Sequence, residues 1–205
     1  MKYLISVFLL AGVLPLSASE PVILVLGDSL SAAFGIDRKV GWVSLLQKRL
    51  DSLGGDWQVV NAGISGDTTA GGLSRLPRLL ELHRPQLVVL ELGSNDGLRG
   101  FGFDQIRSNL QRMISLSRDA GADVLLVGAR LPPNYGAAYA DSFHQLFLDV
   151  AEREQVALVP FLLEGVARDP SLMQADGYHP NAAAQPRLLE NVWPQLEPLL
   201  TQPSQ

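Results

Sequence analysis

Residues Val22-Ile-Leu-Val-Leu26, followed by Gly27-Asp28-Ser29-Leu30-Ser31, indicate the fold class that the rest of the chain completes. An uninterrupted apolar run that ends at glycine is typical of a strand buried on both faces, as in a parallel sheet. Four further apolar runs follow, at residues 57–60, 87–92, 124–127 and 157–159, and segments with helical spacing of apolar residues separate them. This alternation predicts a three-layer α/β/α fold around a five-stranded parallel sheet.

The loops that leave these strands are polar and rich in glycine. They comprise residues 27–31, 61–67, 93–96, 130–135 and 176–181. Right-handed crossovers place the carboxyl ends of all parallel strands at one edge of the sheet, which is where ligands bind in such folds. We therefore expect a functional site at that edge, built from segments that are distant in the sequence.

The composition predicts one globular domain and excludes several functions. A chain of 205 residues, 47% hydrophobic and 18% charged, is long and apolar enough for a full core. The formal net charge is −5 and no block of basic residues occurs, so we expect no nucleic-acid partner. The absence of cysteine excludes a cysteine nucleophile and a thiolate metal site.

The first nineteen residues have the layout of a secretory signal. Lys2 supplies the positive charge, residues 3–16 are apolar, and Ser17-Ala-Ser19 provides small residues for cleavage. The alternative is an uncleaved anchor, although the apolar run is short for a span of ~20 residues. We expect residues 1–19 to be removed and residues 20–205 to form a single domain. The product would be a periplasmic monomer without a stable membrane anchor.

Among the three histidines, His179 is the best candidate for a catalytic base. His83 precedes a predicted strand and therefore lies at the opposite edge of the sheet, and His144 lies within an amphipathic helix. Asp176 stands three residues before His179, where a carboxylate can orient the imidazole and stabilise its charged form. The alternative is a turn in which Asp176 caps a helix that opens at Pro180.

Ser29 is the candidate nucleophile, since it follows the first strand directly. The alternative for Ser29 is an N-cap of the next helix. The G-x-S-x-G elbow of the α/β-hydrolases is absent, which excludes that fold. The main-chain N–H groups of Ser29 and Gly66 and the side-chain amide of Asn95 are candidate donors to an oxyanion. Alternatively, Gly66 permits a tight turn and Asn95 satisfies a loop.

Four blocks in order resemble the GDSL, or SGNH, hydrolase family: Gly27-Asp-Ser-Leu30, Gly66, Gly93-Ser-Asn-Asp96 and Asp176-x-x-His179. The resemblance implies a flavodoxin-like sheet of the SGNH-hydrolase type and no metal or cofactor. It also implies small-molecule substrates, namely acyl thioesters, aryl and short-to-medium acyl esters, and lysophospholipids. The roles that it implies are nucleophile for Ser29, base for His179, orienting acid for Asp176, and oxyanion donors for Ser29, Gly66 and Asn95.

Other residues of this edge have predicted structural roles. We expect Asp28, Asp67 and Asp96 to accept hydrogen bonds from loop N–H groups. Residues 73–82 are predicted to form a core-facing helix that Pro77 breaks or kinks. Residues 68–72, Thr-Thr-Ala-Gly-Gly, precede this helix and would give it the freedom to act as a lid.

Three alternative functions remain open at this level. One is a flavodoxin-like binding protein in which residues 27–31 hold a phosphate at a helix N-terminus. Another is a carbohydrate O-acetyl esterase on the same scaffold. The last is a catalytically silent surface-adhesion module.

Overall fold

The computed structural model describes residues 20–201. The predicted signal segment, residues 1–19, lies outside the described residues. The five predicted strands are present as β1 (Val22–Gly27), β2 (Gln58–Asn61), β3 (Leu87–Glu91), β4 (Asp123–Val127) and β5 (Ala157–Val159). The helices are α1 (Trp42–Ser52), α2 (Thr69–His83), α3 (Ser94–Leu98), α4 (Phe103–Asp119), α5 (Ala137–Glu154) and α6 (Gln185–Leu200).

All strands are parallel, in the order β2-β1-β3-β4-β5. This order confirms the predicted flavodoxin-like sheet. The direction of the strand order reverses between β1 and β3, so the loops that follow these two strands diverge and leave a crevice at the carboxyl edge. Ser29 follows β1 and Asn95 follows β3, so both lie beside that crevice.

Two apolar clusters fill the space between the sheet and its two helical layers. Leu24 and Leu26 of β1 pack in the cluster with α2, α4 and α5, whereas Ile23 and Val25 pack in the cluster with α1 and α6. All four side chains have no exposed surface. The continuous apolar run of β1 therefore reflects burial on both faces, as predicted.

Some local predictions differ from the structure. α2 continues through Pro77 as one helix, so Pro77 does not break it. Residues 69–72 form the first turn of that helix and not a free hinge. The last α-helix begins at Gln185, five residues after Pro180, because a short 3₁₀ segment, Ala182–Ala184, precedes it. Among residues 20–201 no helix is long and apolar enough to cross a bilayer.

Candidate active site

Ser29, His179 and Asp176 form a continuous hydrogen-bonded row at the carboxyl edge of the sheet. The Ser29 hydroxyl oxygen lies 2.9 Å from Nε2 of His179, although 150 residues separate them in the chain. The other ring nitrogen, Nδ1, lies 2.6 Å from Oδ2 of Asp176. A histidine that donates from Nδ1 to a carboxylate keeps Nε2 free to accept a proton.

A tight turn sets the geometry of Asp176 and His179. The second carboxylate oxygen of Asp176 accepts hydrogen bonds from the main-chain N–H groups of Tyr178 and His179 at 2.9 and 3.0 Å. These hydrogen bonds, led by the one from the His179 N–H, lower the pKa of Asp176 to about 2. Asp176 is therefore ionised at neutral pH.

The turn that carries Ser29 is held by main-chain contacts. The N–H of Phe34 donates to the carbonyl of Ser29 at 3.1 Å, and the side-chain amide of Asn61 donates to the carbonyl of Ser31 at 2.8 Å. Ser29 itself is 9% exposed. The main chain at Ser29 therefore has a defined position.

The three predicted oxyanion donors have free hydrogen-bonding capacity. Among residues 20–201 no acceptor takes the main-chain N–H of Ser29 or of Gly66. Gly66 has a φ of +79°, which favours glycine, and its carbonyl accepts from Arg99 at 3.0 Å. The side-chain nitrogen of Asn95 donates one hydrogen to Oδ2 of Asp28 at 3.0 Å, so its second hydrogen remains available.

Two buried carboxyl groups belong to, or contact, the turn that carries the nucleophile. Asp28 is 1% exposed and Glu91 is 3% exposed. The Ser31 hydroxyl and the Asp28 N–H donate to Oε2 of Glu91, at 2.7 and 3.3 Å. Burial raises the pKa of Asp28 to about 6, against the hydrogen bonds that it accepts, and burial together with the charge of Asp28 raises the pKa of Glu91 well above its usual range.

The three loop aspartates accept N–H groups as predicted. Asp28 accepts from the N–H of Leu30, Asp67 from that of Thr68, and Asp96 from that of Thr69. The Thr69 hydroxyl also donates to Asp96, at 2.5 Å. These bonds join the start of α2 to α3, which further argues against a free hinge at that point.

Arg75 was not singled out by the sequence and connects three parts of the site. Its guanidinium forms an ion pair with Asp67 at 2.8 Å and donates to the carbonyls of Ala62 and Gly27 at 2.6 and 3.2 Å. These contacts hold the loop that carries Gly66 against the end of β1. A solvent-facing arginine and this bridging arginine look alike in a helical sequence pattern, so only the tertiary contacts reveal it.

The other two histidines lie where the sequence predicted. His83 ends α2 and therefore precedes β3, at the opposite edge of the sheet. His144 is buried in α5, with Nδ1 at 3.2 Å from the carbonyl of Ala129, and burial lowers its pKa. Neither histidine lies beside Ser29.

A cavity of about 820 Å³ opens beside the row of hydrogen-bonded side chains. Ser29, Asn95 and His179 line it, whereas Gly66 is not among its lining residues. Much of its remaining wall is apolar, with Leu30, Leu98, Leu131, Tyr135, Phe161, Leu163 and Met173. Five Asp, Glu and Arg side chains also line it: Asp28, Arg130, Asp141, Glu164 and Arg168. Within residues 20–201, no three metal-ligating side chains lie close enough together to hold an ion.

Comparison with known proteins adds independent information about this chain. The model of the GDSL-like Lipase/Acylhydrolase family matches residues 25–186. Esterase TesA of Pseudomonas aeruginosa is 57% identical over 197 residues, which cover 94% of this chain and 98% of that protein. Thioesterase 1/protease 1/lysophospholipase L1 of Escherichia coli (strain K12) is 42% identical over 188 residues, with coverages of 92% and 89%. A crystal structure of psychrotrophic esterase EstA from Pseudoalteromonas sp., inhibited by monoethylphosphonate, matches with a TM-score of 0.84 at 40% identity and covers 88% of this chain and 99% of that chain.

Proposed function

Because this chain belongs to the GDSL-like lipase/acylhydrolase family and is an esterase or thioesterase of that family, we propose that it cleaves acyl esters, acyl thioesters and lysophospholipids through a Ser29–His179–Asp176 triad. The observation that carries the proposal is the 2.9 Å contact between the Ser29 hydroxyl and Nε2 of His179. A hydroxyl becomes a useful nucleophile only when a positioned base takes its proton.

In the first half of the reaction, the Ser29 oxygen attacks the acyl carbonyl carbon while its proton passes to Nε2 of His179. The ionised Asp176 stabilises the resulting imidazolium and keeps the ring oriented. The negative charge that develops on the carbonyl oxygen is stabilised by the N–H groups of Ser29 and Gly66 and by the amide of Asn95. The tetrahedral intermediate then collapses, and His179 returns the proton to the departing alcohol or thiol.

In the second half, water releases the acyl group from Ser29. His179 takes a proton from the water molecule, whose oxygen attacks the acyl-enzyme carbonyl, and the same donors stabilise the second oxyanion. Collapse of this intermediate breaks the bond to Ser29, and the proton from His179 restores the hydroxyl. The products are a carboxylic acid and the free enzyme, so no redox or metal chemistry enters the cycle.

The cavity supports an acyl chain as the recognised part of the substrate. Its volume of about 820 Å³ is far larger than an acetyl group requires, and leucines and aromatic side chains form much of its wall. An acyl chain gains free energy when its methylene groups leave water for such a wall, at about 0.8 kcal/mol for each buried CH₂. This argument favours esters whose acyl chains are longer than acetyl over the O-acetyl esters of carbohydrates.

The cellular address is a second part of the proposal. We propose that residues 1–19 direct export to the periplasm and are then removed, leaving residues 20–205 as one monomeric domain. N-terminal sequencing of the protein from a periplasmic fraction is expected to begin near Glu20, and size-exclusion chromatography is expected to give a mass near that of one chain. A protein that begins at Met1 in that fraction, or a dimer, would refute the corresponding part.

A hydrolysis profile tests the enzymatic proposal. p-Nitrophenyl esters of increasing acyl length, acyl-CoA, a lysophospholipid and an acetylated sugar are assayed with the wild-type protein and with Ser29→Ala. We expect turnover of the first three substrate classes and a loss of roughly 10³-fold or more in Ser29→Ala. A phosphonate ester is expected to label Ser29, as seen by mass spectrometry. Near-normal turnover by Ser29→Ala would refute the triad, and turnover of the acetylated sugar alone would favour the other esterase.

A further inference from the structure

The loop of the nucleophile and the loop of the base are joined by the side chain of Gln174. Its amide nitrogen donates to the carbonyl of Phe34 at 2.7 Å and to the carbonyl of Pro180 at 3.0 Å. Its main-chain N–H also donates to the carbonyl of His179 at 2.7 Å. One residue therefore fixes the relative position of two segments that are 140 residues apart.

The close approach of this side chain is built into the backbone opposite it. Gly35 has a φ of +74°, and a Cβ atom at that position would lie only 2.1 Å from Oε1 of Gln174. The glycine therefore serves both the left-handed turn and the contact with the amide. Such a fit indicates that the pairing of these loops is specific.

Phe34 lies against the face of the catalytic imidazole. The ring centroids of Phe34 and His179 are 4.5 Å apart, with an interplanar angle of 38°. Hydrogen bonds to Ser29 and Asp176 hold the two edges of the imidazole, but they resist tilting of its plane only weakly. A packed ring on one face supplies that restraint.

Core packing does not explain Phe34. Its side chain is 47% exposed, so its contribution to the core is small. Its main contact with the proposed machinery is the imidazole itself.

We propose that Phe34 and Gln174 are positioning residues, which together hold the His179 ring in the plane that joins the Ser29 hydroxyl and the Asp176 carboxylate. This inference rests on the proposed function, since it assigns His179 the role of base. Phe34 restrains the ring, and Gln174 fixes the backbone of Phe34 to the segment that carries the ring. A base displaced by about 1 Å can lose up to ~10²-fold in rate, so the restraint acts on kcat and not on substrate affinity.

Steady-state kinetics of four variants test the proposal. Phe34→Leu removes the aromatic ring, and Phe34→Tyr keeps it. Gln174→Met preserves the length of the side chain and removes the two hydrogen bonds that the side-chain amide donates. Phe101→Leu is the matched control, because Phe101 is another phenylalanine of comparable exposure, at 37%, on a different loop. We expect kcat to fall roughly 10- to 100-fold in Phe34→Leu and Gln174→Met, with KM within about twofold of wild type. Phe34→Tyr and Phe101→Leu are expected to keep kcat within about twofold.

A spectroscopic readout separates positioning from general destabilisation. The proton shared by Nδ1 of His179 and Asp176 is followed by NMR at the low-field end of the spectrum, together with the thermal midpoint of each variant. We expect this signal to broaden or vanish in Phe34→Leu and Gln174→Met and to persist in Phe34→Tyr, with the midpoint of Phe34→Leu unchanged.

The outcomes distinguish this inference from the proposed function. If Ser29→Ala is inactive while Phe34→Leu and Gln174→Met keep normal kcat, the positioning role is wrong and the triad stands. A rise in KM at constant kcat in Phe34→Leu would assign Phe34 to substrate binding and overturn the inference. Retained activity in Ser29→Ala would overturn the triad itself.

Discussion

The side-chain amide of Asn95 donates to the carboxylate of Asp28, the residue directly before the nucleophile, at 3.0 Å and across 67 residues of chain. An ionised carboxylate can only accept hydrogen bonds, so the nitrogen of Asn95, and not its oxygen, must face Asp28. This contact leaves the second N–H of the same amide for the oxyanion. Asp28 thus determines the orientation of the Asn95 amide, which lies in α3 after another strand.

Replacing that donor tests its proposed role. We expect Asn95→Ala to lower kcat by roughly 10²–10³-fold, because a preorganised donor to the oxyanion is lost while the triad is unchanged. The measurement is steady-state kinetics with a p-nitrophenyl ester. Asn95→Ala with kcat close to that of wild type would remove Asn95 from the oxyanion site.

Asp28→Asn tests the orientation of the same amide. The new side chain offers both a donor and an acceptor, so the nitrogen of Asn95 is no longer held toward residue 28. We expect kcat to fall roughly 10- to 100-fold, because a charge-assisted hydrogen bond is lost. Asp119→Asn, at the exposed end of α4, is the control and is expected to behave as wild type. In the Asn95→Ala background the Asp28→Asn change should have little further effect on kcat, since coupled residues are not additive. Additive losses would show that Asp28 acts by another route.

Asp28→Asn also makes a prediction about stability. Burial raises the pKa of Asp28 to about 6, so between about pH 4 and 6 the folded state holds a proton that the unfolded state releases. The free energy of unfolding of the wild type therefore loses a contribution as pH rises through this window, by up to about 3 kcal/mol. Urea titrations at pH 4.5 and 7 are expected to show the stability of Asp28→Asn rising relative to wild type at the higher pH. A difference between the two proteins that is the same at both pH values would contradict the buried, ionising carboxyl.

Local sequence patterns predict the strands of this fold and their burial. An apolar run such as residues 22–26 specifies a buried strand because its side chains need both faces covered, and the strand order confirms the fold that these runs predict. The contacts of Arg75, Gln174 and Glu91 were not predicted, because each includes a partner that lies 48 to 140 residues away. The α2 helix continues through Pro77, since packing against the sheet outweighs the local preference at that position.

Asp176→Asn separates the two functions of the Asp176 side chain. An amide oxygen can still accept the N–H groups of Tyr178 and His179, so we expect the turn to persist. The charge that stabilises the imidazolium is lost and the histidine tautomer is no longer fixed, so kcat should fall by roughly 10²–10⁴-fold. The pKa of Asp176 is lowered to about 2, so the stabilisation from this carboxylate is complete above its ordinary value of 3.8 and is lost as pH falls toward 2. Circular dichroism and kinetics at pH 7 check the variant, and an unfolded or a fully active Asp176→Asn protein would each contradict this separation.

Gly93, two residues before Asn95, combines a backbone constraint with a steric one. Its φ of +117° is costly for any residue with a side chain, and a Cβ atom would lie 2.9 Å from Cζ of the fully buried Phe147. We expect Gly93→Ala to lower the free energy of unfolding by about 1–3 kcal/mol and to lower kcat, because relief of either strain displaces the amide of Asn95. Gly102→Ala is the matched control in the same region, since Gly102 has a φ of −63° and open space around it, and its stability is expected to change by less than about 0.5 kcal/mol. Urea denaturation and steady-state kinetics measure both variants. Equal stability of the two would mean that the loop after β3 relaxes freely, and it would remove the argument that Gly93 holds Asn95 in place.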